Sequence, residues 1–143
     1  LLLNKMKSNY KAMVLSCIDP RFQPIVYNYL KRKKLNGKYS SFTMAGSSIG
    51  VTATKFKRWH KTFWDNIDTS IKLHQIKKLI VINHRDCGAA KLINGNKEFS
   101  RINETKIHKD SFKKIKKIFK KKYPKLSIEL NIISLNTRIE RYK

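Results

Sequence analysis

"KKLIVINHRDCGAAKL", residues 77–92, sets four apolar residues, Leu79 to Ile82, just ahead of an imidazole and a thiol three positions apart. The apolar run is continuous and does not alternate, the pattern of a strand covered on both faces by helices in a parallel sheet. His84 and Cys87 therefore fall at the carboxyl end of a buried strand, on the strand-to-helix turn. In open α/β sheets that is the rim where ligands bind.

Working outward, "AMVLS" (12–16) is a second short apolar run, stopped by "CIDPRFQP", and reads as a buried strand with Cys17 at its carboxyl end. From Phe22, "FQPIVYNYLKRKKLNG" places Phe22, Val26, Tyr29 and Leu30 on one helical face, with Gly37 as the stop. A strand around Tyr39 to Met44 then runs into a loop of small residues, where Gly46 and Gly50 permit close backbone approach. Residues 61–78 bring Phe63, Ile67, Ile71 and His74 onto one helical stripe, acidic early and basic late as the helix dipole favours. Residues 103–124 form a basic amphipathic helix with Ile107, Ser111, Ile115 and Ile118 in line, ended by Pro124, and "LSIELNIISLN" (126–136) closes the chain as a strand. Strands alternating with helices predict an α/β fold: three layers, a mostly parallel β-sheet flanked by α-helices. No fixed-period repeat and no Pro/Gly/Ser-rich linker interrupts the 143 residues, so one domain over 1–143 is expected.

Composition narrows the function. Hydrophobic residues make up 41%, enough for a core despite 29% charged residues. The formal charge of +24 would suit a polyanion, yet the cations are mostly lysine and spread along the chain, whereas bidentate phosphate or base readout favours arginine. A solvated basic surface is the reading taken, with neither nucleic acid nor membrane expected as the main partner. There are two cysteines, no secretory h-region and no apolar run of ~18 residues. A reduced, cytoplasmic protein is expected.

Cys17, His84 and Cys87 are three ligands of the kind zinc prefers, with a fourth position left over. On spacing alone, metal binding and packing of two buried thiols stay equally open. "CIDPR" tips the balance: Asp19 is close enough to reach the ion itself, and Arg21, two residues on, is in phase to hold the Asp19 carboxylate by a bidentate pair. An aspartate so held stays ionised and aimed, able to accept a hydrogen bond at a metal site.

"CIDPR" followed by "HRDCGA" resembles the paired signatures of the β-class carbonic anhydrases, Cys-x-Asp-x-Arg and His-x-x-Cys-Gly. Pro24, Ala45-Gly46 and "IKLHQIKKLIVIN" (71–83) add to the likeness, which covers about residues 12–92. The resemblance implies Zn²⁺ held by Cys17, His84 and Cys87, with Asp19 and Arg21 as the catalytic dyad and Asp19 as a fourth ligand in a closed state. It implies reversible hydration of CO₂ to bicarbonate by zinc-bound hydroxide, and a homodimer or higher assembly. The chain departs from the family pattern at Pro20 (usually Ser), at Thr43-Met44 (usually Arg-Asn) and at Asn83 (usually Gly), so it resembles a small, divergent branch. The alternative is a catalytically inactive zinc-stabilised domain whose basic surface binds an anion or nucleic acid. Elsewhere, His60, His74 and His108 read as surface or interface residues, Arg85 and Asp86 as a loop pair, and Trp59 and Trp64 as packing residues beside "KRWHK".

Overall fold

Alternation of the buried side chains decides the layering. On β1 (Ala12–Ser16) and β3 (Lys78–His84), Met13, Leu15, Leu79 and Val81 point to one side of the sheet, whereas Ala12, Val14, Ile80 and Ile82 point to the other. The structure, a computed structural model, describes residues 10–143. The opening Leu1–Leu3 lie outside them.

Five strands form one sheet in the order β2-β1-β3-β4-β5. The first four, with β2 at Tyr39–Thr43 and β4 at Ser127–Ile133, pair in parallel; β5 (Ile139–Tyr142) returns antiparallel to β4. One face is covered by α1 (Gln23–Arg32) through Val26, Tyr29 and Leu30. The other is covered by α3 (His60–His74) through Phe63, Trp64 and Ile67, and by α5 (Arg101–Lys122) through Phe112, Ile115 and Phe119. Helix, sheet and helix make three layers, the expected α/β architecture, because the central strands β1, β3 and β4 bury apolar side chains on both faces.

Several boundaries differ from the sequence reading. Helix α1 ends at Arg32, five residues before Gly37: Lys34 adopts a left-handed φ of 61°, and the Leu35 amide donates to the Leu30 carbonyl. That is a Schellman ending, in which Leu35 folds back onto the apolar face. The loop of small residues contains a short helix, α2 (Ser48–Thr52), and Gly88–Asn94 forms α4. Strand β4 does not close the chain, since β5 follows a turn in which the Ser134 amide donates to the Arg138 carbonyl and Thr137 adopts a φ of 71°. No helix among the described residues is long and apolar enough to cross a membrane.

Candidate metal centre

Strands β1 and β3 are neighbours in parallel register, Ser16 opposite Ile82, so the turns that follow them lie side by side at one rim. Cys17 leaves β1 there, and His84 ends β3 with Cys87 in the next turn. Although His84 lies 67 positions after Cys17 in sequence, the Cys17 and Cys87 sulfurs and a His84 ring nitrogen all lie within 4.8 Å of one another. All three are buried, at 7%, 1% and 2% exposure for Cys17, Cys87 and His84.

His84 and Cys17 are each aimed by a contact of their own. His84 Nδ1 lies 2.7 Å from the Arg85 carbonyl; a carbonyl only accepts, so Nδ1 carries the proton and Nε2 presents a lone pair. The ring stacks on Phe22 at 4.1 Å, which fixes its plane. Nε2 is buried and has no hydrogen-bond partner. A buried acceptor facing two sulfurs and lacking a donor is the fit a metal cation would satisfy. The Gly46 amide donates to Cys17 Sγ at 3.3 Å. Only glycine serves at that position, since φ is +79° and a Cβ would lie 2.7 Å from the Ala89 Cβ. A Cβ on Gly50 would fall 2.1 Å from the Ala45 carbonyl oxygen, so the small residues of this loop let α2 close over the site.

The two thiols titrate as a pair. The Cys87 thiol donates toward Cys17 and pulls its pKa down, whereas Cys17 and burial push that of Cys87 up. Burial alone would lower the His84 pKa, but the adjacent Cys17 thiolate raises it. The directions of the two thiols both favour the thiolate at Cys17, and thiolate is the form that binds zinc.

Asp19 stands at the edge of the cluster, Oδ2 3.8 Å from His84 Nε2. Arg21 grips it on both oxygens, Nε to Oδ1 at 3.2 Å and Nη2 to Oδ2 at 2.8 Å, while the Arg21 amide donates to Oδ1 at 2.9 Å. These bonds outweigh the small cost of burial and hold the Asp19 pKa at about 2. Pro20, after Asp19, begins the single 3₁₀ turn Pro20–Phe22 that brings Arg21 back onto Asp19.

Arg85 and Asp86 are not a pair. Arg85 is buried and binds Glu140 Oε1 and Oε2 of β5 at 2.8 and 3.0 Å, and Thr105 Oγ1 at 2.6 Å. Asp86 faces the other way, accepting from Arg21 Nη1 at 3.1 Å and pairing with Lys91 at 2.8 Å. Arg21 therefore ties the β1 turn to the β3 turn.

His108 is the clear correction among the histidines: it is fully buried on α5, with Nδ1 2.9 Å from Asn83 Nδ2. His60 and His74 are half-buried. Trp64 packs in the core and Trp59 stacks on Phe56 at 4.6 Å, as expected. Sequence reasoning missed Glu104, whose buried carboxylate accepts from the Cys87 amide at 3.0 Å. Its signal was present in the amphipathic helix: Glu104, His108, Ser111 and Ile115 fall on the same buried stripe at helical spacing.

A mostly parallel α/β sheet with a Cys–His–Cys cluster at one strand rim, attended by an Asp–Arg pair, defines the class of the β-carbonic anhydrases. Comparison with known proteins places the chain more closely. Residues 6–136 match the family described as "Putative carbonic anhydrase", and the chain belongs to that family. An uncharacterized protein of Rickettsia bellii is 30% identical over 138 residues, covering 96% of this chain and 84% of that protein. Among solved structures, the β-carbonic anhydrase CafA of Aspergillus fumigatus superposes with a TM-score of 0.65 at 12% identity, covering 94% of this chain and 76% of that one. A structure from a study of two tetrameric β-carbonic anhydrases of Sordaria macrospora gives a TM-score of 0.61 at 10% identity, covering 96% and 84% of the two chains. At such identities these likenesses establish the fold.

Proposed function

We propose that this protein is a zinc-dependent carbonic anhydrase that hydrates CO₂ reversibly to bicarbonate, with Cys17, His84 and Cys87 holding the metal. The observation that carries this reading is the unpartnered Nε2 of His84, buried between two thiols with a gripped carboxylate 3.8 Å away. Zinc, when bound, supplies Lewis acidity that brings the ionisation of water down towards neutral pH.

The chain's own residues do the rest. Cys17 and Cys87 would balance the charge of the ion they hold, and His84 would donate through the nitrogen its backbone contact leaves free. Asp19, kept ionised by Arg21, can only accept hydrogen bonds. It orients the O–H of the attacking water so that an oxygen lone pair faces the CO₂ carbon. The new C–O bond forms as one C=O π pair moves onto oxygen, giving bicarbonate, and the released proton passes to buffer. With Arg21 also held by Asp86, the guanidinium keeps its place if Asp19 turns inward to become a fourth ligand.

The same reading takes the protein as a homodimer or higher oligomer in the cytoplasm. Support comes from the exposed Ile18 and Leu92 near the site, at 59% and 60% exposure, which a second copy would cover, and from the tetrameric state named for the Sordaria enzymes. Two free, buried cysteines suit a reducing compartment.

The test is zinc content and stopped-flow CO₂ hydration on the same sample, for the wild type and Asp19→Asn. One zinc per chain, hydration well above the buffer rate and its loss in Asp19→Asn are expected. Zinc without hydration would replace the enzyme with a zinc-stabilised domain; no zinc after metal-replete expression would sink both.

A further inference from the structure

Beneath the cluster lies a chain of buried polar groups that the proposed reaction does not use. Its orientation can be read from one end. The Ser48 amide donates to Asn83 Oδ1 at 3.2 Å, and Ser48 Oγ lies 2.9 Å from the same oxygen. Oδ1 is thus the acceptor and Asn83 Nδ2 the group that faces His108. It donates to His108 Nδ1 at 2.9 Å, which leaves the proton of the neutral ring on Nε2. That nitrogen lies 3.5 Å from Glu104 Oε2, a close electrostatic contact that does not meet hydrogen-bond geometry. Glu104 Oε2 in turn accepts from the Cys87 amide at 3.0 Å.

Four side chains in series therefore connect α2, β3 and α5 to the backbone of a metal-binding cysteine. The turn they reach is unusual, since Asp86 adopts a left-handed φ of 58°. A left-handed residue makes successive amides converge, forming a concavity for an anion. Here the anion comes from the chain itself. The opposite side of the turn is tied where the Arg85 amide donates to the Ile133 carbonyl. Glu104 is the side chain that holds the Cys87 side.

We propose that Glu104 is a positioning residue for the metal centre: seated by His108 and Asn83, its carboxylate holds the turn that aims Cys87 Sγ at Cys17 and His84. This rests on the metal reading above, and deepens it by assigning α5 a part in the site. Asn83 then has a use: where glycine would leave His108 without its donor, the amide sets the tautomer that faces Glu104.

The experiment uses the full chain, stripped of metal and titrated with Zn²⁺ against a chromophoric chelator, then with Co²⁺ to record the thiolate charge-transfer and d–d bands. Glu104→Ala is expected to bind zinc about 10- to 100-fold more weakly, the usual cost of losing a group that orients a ligand, and to give altered cobalt bands. Glu104→Gln, which keeps an acceptor at the same reach, should bind within about threefold of the wild type with unchanged bands. Glu104→Asp keeps the charge and withdraws the acceptor by one methylene; it should resemble Glu104→Ala and decides the matter if that variant fails to fold. A folded Glu104→Ala or Glu104→Asp with wild-type affinity and bands would overturn the proposal, leaving Glu104 a packing residue. A wild type that takes up no zinc or cobalt would overturn the metal reading itself, a different failure.

Discussion

Replacing Glu129 by glutamine isolates a buried charge cluster away from the Cys17–His84–Cys87 site. Glu129 lies on β4, opposite Ile80 of β3, and its side chain is 6% exposed. Lys33 from the end of α1, Lys78 from the start of β3 and Arg141 of β5 approach it at 2.8, 3.0 and 3.4 Å. Burial alone would raise its pKa, but Lys33, Lys78 and the Asn131 amide outweigh burial and hold it at about 2, against an ordinary 4.5. At 1.36 kcal/mol per unit the difference corresponds to about 3 kcal/mol of stability at neutral pH. The folded-state value is depressed, so the contribution is complete above pH 4.5 and is lost as pH falls through about 2. Urea denaturation of the wild type and Glu129→Gln should show a gap of about 3 kcal/mol at pH 7 that narrows below pH 4.5 and is nearly closed at pH 2. Comparing the two proteins cancels the titration of the other carboxylates. A gap independent of pH, or one below about 1 kcal/mol at pH 7, would refute the reasoning.

Two further perturbations bear on the site. Gly50→Ala places a Cβ 2.1 Å from the Ala45 carbonyl oxygen, a backbone clash that no side-chain rotation relieves; a loss of at least about 3 kcal/mol is expected by thermal or urea melts, and a wild-type melting curve would show that α2 can shift at little cost. If Cys17, His84 and Cys87 hold zinc as proposed, a chelator should lower the melting temperature and speed the reaction of Cys17 and Cys87 with a thiol reagent, because metal binding adds to folding free energy. Identical melting and thiol reactivity with and without zinc would count against a bound metal at these residues.

The parts of this protein that sequence reveals are those whose signal is local. The apolar runs of β1 and β3 stop at Cys17 and His84, and the Asp19–Arg21 pair lies two residues apart on one turn. Both are readable because a strand's burial and a bidentate pair each need only a few consecutive residues. Glu104 and His108 were hidden for the opposite reason. Glu104 meets the Cys87 amide from 17 residues away with His108 one helical turn further on, and an acid and a histidine inside a lysine-rich helix resemble any solvated face until the helix is docked on the sheet. Strand β5 was hidden by brevity: four residues with two charges carry no period-2 pattern, and pairing with β4 alone makes them a strand. The end of α1 turned on Lys34, a residue type with no preference for left-handed backbone, so Gly37 drew the boundary too far.

The position of Cys17 and His84 on neighbouring strands has a consequence for the order of events during synthesis. Cys17 emerges from the ribosome well before Cys87, and the 69 residues between the two thiols include β2, β3 and the helices α1, α2 and α3. Closing so long a span is slow compared with forming either turn. Until it closes, the nascent chain carries a lone thiol with no partner and no shelter. The interval before that closure is thus the one in which Cys17 stands without the neighbours that bury it in the fold.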